Sequence, residues 1–545
     1  MRKIALLLVL GTLTAARAAP PEVTFADRAE AAGIRFVLRN SATPEKRQIE
    51  TMPGGVAVLD FDNDGRPDLY FTNGARAGRL EKTDPTYWNR LYRNLGGWRF
   101  EEVTEKAGVA GAGYSMGVAA GDYDNDGYVD LFVAGVNRNL LYRNRGDGAF
   151  EDRTAAAGLG GVGSGGRKPW SIAAGWFDYD NDGRLDLFVV NYVVWTPEKD
   201  PFCGDPAGRF RTYCHPKFYE GLPNLLYRNN GDGTFTDVSL ASGIGAHAGK
   251  GMGVAFADYD QDGDLDVFVA NDTTPNFLFR NEGQGRFREV ALAAGVAFND
   301  DGRALSSMGV DFRDVDNDGR EDLFVTALAN ETFPLFVNLG KGLFADMTYP
   351  SHIGRATLAL SGWGAGIFDF DNDGYKDLFA ANGDVNDNTE LFSSRKSRQQ
   401  PMVLTNRGDG AFAALAVGAP GLYRGAAFGD FDGDGRVDAA LTRLNEGAVL
   451  LRNVSDAGRW IGLRLEGRRS NRDAIGARIR VATQAGEQWN HVTTSVGYAS
   501  SSDRAVHFGL GARGRVNHLE IRWPSGARLR LENVPEGRYV TVTEP

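Results

Sequence analysis

Seven short stretches of this chain gather aspartates at a spacing that could hold a metal ion. The pattern Asp-x-Asp-x-Asp-Gly-x-x-Asp begins at Asp60, Asp122, Asp178, Asp258, Asp314, Asp369 and Asp430. Carboxylates at positions 1, 3, 5 and 9, a glycine at 6 for a sharp turn and a backbone carbonyl at 7 set hard oxygens around one point. That donor set suits Ca2+ better than Mg2+, which keeps more of its waters. The candidate ligands are Asp60, Asp62, Asp64 and Asp68 in the first loop, Asp122, Asp124, Asp126 and Asp130 in the second, and Asp178, Asp180, Asp182 and Asp186 in the third. They continue as Asp258, Asp260, Asp262 and Asp266, then Asp314, Asp316, Asp318 and Asp322, then Asp369, Asp371, Asp373 and Asp377, and last Asp430, Asp432, Asp434 and Asp438. Position 12 holds Phe71, Val133 or Val189 where an EF-hand has its bidentate Glu. Affinities on the order of 10⁻⁴ to 10⁻³ M follow, which suit about seven structural ions outside cells. The alternative is an ion-free acidic turn, in which four carboxylates would repel one another unless neutralised.

The elements that must position these loops repeat with them. Successive loops start 62, 56, 80, 56, 55 and 61 residues apart, and the long interval holds an insertion at residues 195–223. Before each loop runs a small, apolar stretch such as Met116-Gly117-Val118-Ala119-Ala120, and after it a β-rich one such as Leu131-Phe132-Val133-Ala134. A hairpin signature follows, as in Leu141-Tyr142-Arg143-Asn144-Arg145-Gly146-Asp147-Gly148. Four strands per repeat predict an all-β fold, a seven-bladed β-propeller over residues 19–453 with its small residues on the innermost strands. The seventh repeat stops at Asn453 without an outer strand, and Phe25-Ala26-Asp27 stands alone near the N-terminus. Residues 25–34 are therefore expected to complete the last blade as a latch, which leaves no open sheet edge.

Composition narrows the function. Glycine supplies 71 of 545 residues without a Gly-X-Y period, which excludes collagen and favours many turns. The formal charge of -11 argues against nucleic acid or an anionic membrane as partner, since either needs a basic footprint. Arg2 and Lys3, the apolar run Ile4 to Leu13 and Ala16-Arg17-Ala18 read as a signal peptide over residues 1–18, with no membrane insertion afterwards. A secreted or periplasmic protein is expected.

Cys203 and Cys214 lie together in the insertion and are expected to form a disulfide. The same segment carries Trp195, Arg211, Tyr213 and Tyr219, an aromatic and cationic group that reads equally as a ligand site or as packing. Arg145-Gly146-Asp147 and Arg407-Gly408-Asp409 fall in hairpins and read as turn chemistry. No Gly-x-Ser-x-Gly, P-loop or His-Glu-x-x-His motif occurs, so no catalytic residue is named.

After Asn453 the period stops, and seven strand-like stretches between Trp460 and Thr543 predict a small sandwich-like all-β domain over residues 459–545. The loops and hairpins resemble FG-GAP or VCBS repeats, found also in integrin α chains. Ser470-Asn471-Arg472-Asp473-Ala474-Ile475-Gly476, His507-Phe508-Gly509-Leu510-Gly511 and Trp523-Pro524-Ser525-Gly526 resemble the motifs of an ASPIC/UnbV domain. Together they look like a bacterial member of the cartilage acidic protein family. The resemblance implies an exported calcium-binding propeller that binds an extracellular protein or glycan as an adhesion module. The origin of the UnbV name in enediyne gene clusters sets a second expectation beside it: an enzyme or accessory protein in polysaccharide processing or enediyne-type secondary-metabolite biosynthesis.

Overall fold

A computed structural model describes residues 23–76, 78–160, 168–512 and 514–545. The expected signal peptide lies outside them. Seven antiparallel four-stranded sheets alternate with the acidic loops along the chain. The first blade is Val56–Leu59, Asp68–Phe71, Arg90–Asn94 and Phe100–Glu102, and the second is Tyr114–Gly121, Asp130–Val136, Leu140–Asn144 and Phe150–Asp152. In each, the acidic loop joins the innermost strand to the next. The innermost strands pack against one another in cyclic order, and Tyr423–Gly429 of blade 7 closes on Val56–Leu59 of blade 1. Phe25–Asp27 pairs antiparallel with Val449–Asn453, Phe25 opposite Asn453, and supplies the outer strand that the seventh repeat lacks.

Two sets of amides hold the ring. An asparagine in each third strand, the last residue in all but the fifth blade, donates its Nδ2 to the loop carbonyl of the preceding blade: Asn144 to Phe61, Asn229 to Tyr123, Asn281 to Tyr179, Asn338 to Tyr259, Asn406 to Val315, Asn453 to Phe370 and Asn94 to Phe431, all at 2.7–2.9 Å. The residue at loop position 4 reaches forward. Asn63, Asn125, Gln261, Asn317 and Asn372 donate to the position-6 glycine carbonyl of the next loop, and Asn181 to Asp264. Loop 7 has Gly433 there and cannot reach, and Arg464 of the C-terminal region takes the Gly65 carbonyl at 3.1 Å.

The C-terminal region forms two sheets. One is Val506–Gly511, Arg459–Glu466 and Tyr539–Thr543; the other is Glu487–His491, Arg478–Thr483, Val516–Arg522 and Arg528–Glu532. The strand Glu487–His491 stops there because the chain then leaves the sheet and enters the propeller axis. There Thr494 donates to the Ala120 carbonyl, Ser495 to Val254 and Gly497 to Val310, while Ala499 and Ser501 accept from Val118 and Val58. The expected tail domain is thus also a plug. A Cβ on Gly55 would lie 2.4 Å from the Ala499 carbonyl oxygen of the plug, and one on Gly425 would meet the Gly54 carbonyl oxygen of the neighbouring blade at 2.1 Å and Ser500 Oγ at 2.7 Å. This is why inner strands keep glycine at that level.

Candidate functional site

The seven acidic loops share one local construction. The residue at position 4 takes a positive φ, from 55° at Asn63 to 73° at Gly433, and the glycine at 6 does too, 82–108°. That curl folds the loop over its own first aspartate. Asp60, Asp122, Asp178, Asp369 and Asp430 each accept the backbone N–H groups of positions 5 and 6. The aspartate at 9 opens the second strand and is fully buried in every blade. One of its oxygens accepts from the backbone N–H of position 2, the other from the backbone N–H of the bridging asparagine.

Carboxylate oxygens of positions 1, 3 and 9 come within 4.8 Å of one another in loops 1, 2, 3 and 5, and those of Asp258, Asp260 and Asp262 do so in loop 4. Burial raises these groups, and neighbouring carboxylates add to it: Asp68 and Asp122 to about 8, Asp178 and Asp371 to about 7. Asp130, Asp186, Asp266, Asp322, Asp377 and Asp438 are driven well above the carboxylate range by loss of water. Asp62 Oδ1, Asp258 Oδ1, Asp260 Oδ1 and Asp432 Oδ1 are buried with no hydrogen-bond partner in the protein. Close, desolvated, partly unpartnered carboxylates fit a hard cation, so these groups could hold metal ions. Arginine shares the neutralisation. Arg93 pairs with Asp62 and Asp64, Arg143 with Asp124 and Asp126, Arg452 with Asp432 and Asp434, and Arg66, Arg184, Arg320 and Arg436 with the aspartate at position 5.

The C-terminal region covers this face. Asp473 accepts the Asp122 amide at 2.8 Å, and Arg472 donates its own amide to Asn125. Gly509 lies so near the sixth loop that a Cβ would meet Asp369 Oδ2 at 2.0 Å. His491 and His507 bond the carbonyls of Phe256 and Gly435 from inside this interface. Two of the three motifs singled out in the tail, at residues 470–476 and 507–511, therefore include contacts with the acidic loops. Sequence reasoning missed the bridging asparagines, although their recurrence after Tyr-Arg in three repeats and after Arg in five, and at the same place in all seven, was the signal.

On the opposite face stands the insertion. Cys203 and Cys214 form a disulfide, Cα atoms 5.3 Å apart. Trp195, Tyr213 and Tyr219 are buried: Trp195 lies edge-on to Trp170, Tyr213 bonds Glu50 and Tyr219 bonds Asp200. Arg211 is half-buried over the Phe202 ring. The insertion thus docks by these aromatics and exposes Phe202 and Phe218 instead. Of the four residues, only Tyr213 lines a cavity of about 280 Å3 where the propeller axis opens on this face. Met52, Met308 and Trp363 also line it, with Asp272, Glu331 and Asp384 around the wall. Below, Tyr498 of the plug meets the Trp363 ring edge-on, centroids 5.1 Å apart, and donates to the Met52 carbonyl.

Cartilage acidic protein 1 of Homo sapiens is 25% identical to this chain over 510 residues, 90% of the chain and 62% of that protein. The Xenopus tropicalis protein is 26% identical over 512 residues, 90% and 64%. The chain spans less than two thirds of these relatives' length. Among solved structures, the BP39L lectin of Burkholderia pseudomallei aligns with a TM-score of 0.47 at 11% identity over 75% of this chain and 97% of that one. An Agrocybe aegerita lectin aligns at 0.41 and 17%, over 73% and 87%. The FG-GAP-like repeat family matches residues 60–133, 122–189, 219–269, 258–325 and 314–380, and the ASPIC and UnbV family matches residues 467–545. With repeats covering more than half its length, the chain belongs to the FG-GAP-like repeat family and carries an ASPIC and UnbV segment at its C-terminal end.

Proposed function

We propose that this chain is an exported, calcium-stabilised propeller that binds an extracellular protein or glycan on the face bearing the insertion. The observation that carries this reading is the asymmetry of the two faces: the tail covers the acidic loops, while the opposite face keeps an open axial cavity beside exposed Phe202 and Phe218. Calcium in about seven loops would then be structural, held by positions 1, 3, 5 and 9 with the carbonyl of position 7. Residues 1–18 would direct export, and a disulfide suits an oxidising compartment.

The test is retention of secreted proteins and immobilised glycans by the full chain in calcium. Phe202→Ala with Phe218→Ala should lose a ligand that the wild type keeps; equal retention discards this face. Catalysis is the second reading. It rests on Asp272, Glu331 and Asp384 lining one cavity away from the acidic loops, with burial lifting Asp272 to about 7. Polysaccharide processing or secondary-metabolite maturation would use such a group as an acid or base.

A further inference from the structure

The polar atoms around the axial cavity are left unpaired in a mixed way. Asp272 is 3% exposed; its Oδ2 accepts from Tyr192 at 2.7 Å, but its Oδ1 has no hydrogen-bond partner in the protein. Asp384, equally buried, bonds the Asn386 amide through Oδ1 and leaves Oδ2 without a hydrogen bond, 3.4 Å from Arg395. Arg395 Nε is an unpaired donor, and the Thr273 hydroxyl is unpaired as well. All four residues line the cavity, whose floor is apolar through Met52, Met308 and Trp363.

This mixture discriminates between ligands. An ammonium group donates only, so it leaves Arg395 Nε unmatched; a carboxylate or phosphate accepts only and would face Asp272 and Asp384. A hydroxyl does both. Several hydroxyls on a small ring with an apolar C–H face match the wall and the floor together, and the volume lies at the small end for ligand pockets. Tyr498 shuts the axis beneath, so the pocket is blind.

We propose that the axial cavity is a binding pocket for a single neutral sugar residue, whose hydroxyls donate to Asp272 Oδ1 and Asp384 Oδ2 and accept from Arg395 Nε. This rests on the reading of the insertion face as the binding face and names its ligand class and contacts.

The test uses the full chain in calcium with free glucose, galactose and mannose, followed by calorimetry and amide exchange. At least one hexose should bind saturably and slow exchange at residues 272–274 and 384–386. Asp272→Asn and Arg395→Gln should each weaken it by about tenfold or more, with both variants still unfolding cooperatively. Glucuronate and butylammonium should bind at least about tenfold more weakly, the first because its carboxylate faces Asp272 and Asp384, the second because it offers Arg395 Nε no acceptor. Absence of saturation by all three hexoses, equal binding by both variants, or tighter binding of either ion overturns the proposal. If immobilised ligands are still retained through Phe202 and Phe218 while hexoses neither bind nor compete, the cavity assignment falls and the binding face stands. If nothing is retained and no hexose binds, both fall.

Discussion

The two faces of this propeller both carry buried carboxylates, and they treat them differently. On one, aspartates are bonded by their own loop's backbone and crowded against each other, and the C-terminal region contacts the loops while Asp180, Asp182 and Asp316 stay exposed. On the other, Asp272 and Asp384 line a cavity, each fixed through one oxygen while the second makes no hydrogen bond within the protein. The contrast teaches that a carboxylate's role follows from what surrounds it. Crowding around a buried aspartate at position 9 suits a permanent ion that stabilises the ring; half-satisfied groups lining a cavity suit an exchangeable ligand.

Removing metal should strike the first face hardest. Excess EDTA is expected to lower the melting temperature by roughly 10 °C or more, reversibly with calcium, since each site held at ten times its Kd contributes about 1.4 kcal/mol. Unchanged thermal unfolding would erase the distinction between the faces. Tyr498→Ala joins them, because the plug runs from the acidic-loop side to the cavity floor. Loss of a fully buried aromatic should cost about 3–5 kcal/mol in denaturant unfolding and should also reduce hexose binding; a loss below 1 kcal/mol would mean that the plug carries little load.

Asn281→Ala cuts the bond from blade 4 to the Tyr179 carbonyl and strands that acceptor. About 1–3 kcal/mol is expected, more than for the exposed turn residue Asn230→Ala. Acid sharpens the comparison again. Burial lowers His491 to about 3 and His507 to about 4, against about 6.5 unfolded. The unfolded chain takes up protons that the folded one refuses, so this contribution is complete above pH 6.5 and fades as pH falls towards 4. His491→Gln with His507→Gln should flatten that decline when unfolding is followed in excess calcium. Metal-free protein should bend the other way, because its raised aspartates hold protons in the folded state that the unfolded chain has released. Smallest is Arg395→Gln, which removes the partly exposed partner of buried Asp384 and should cost about 1 kcal/mol or less while it changes hexose binding.

Much of the acidic-loop face was legible because its determinants are local. An Asp at position 1 and a Gly at 6 meet through bonds spanning five residues, so the motif carries its own geometry. The latch was legible for a similar reason: a missing strand at one end and a lone one at the other can pair in only one way. The aromatic insertion was not. Tyr213 and Tyr219 look alike on paper, and only burial shows that both anchor the loop while Phe202 and Phe218 face outwards.

From its residues alone this chain determined the repeat, the acidic turns, the strand count and the disulfide, since each depends on neighbours within a few tens of positions. The plug, the covered face and the cavity were decided only in three dimensions. Gly497 meets Val310, and Tyr498 reaches Met52, across 187 and 446 residues. No periodicity encodes such contacts, because they arise from which surfaces remain once the ring has closed.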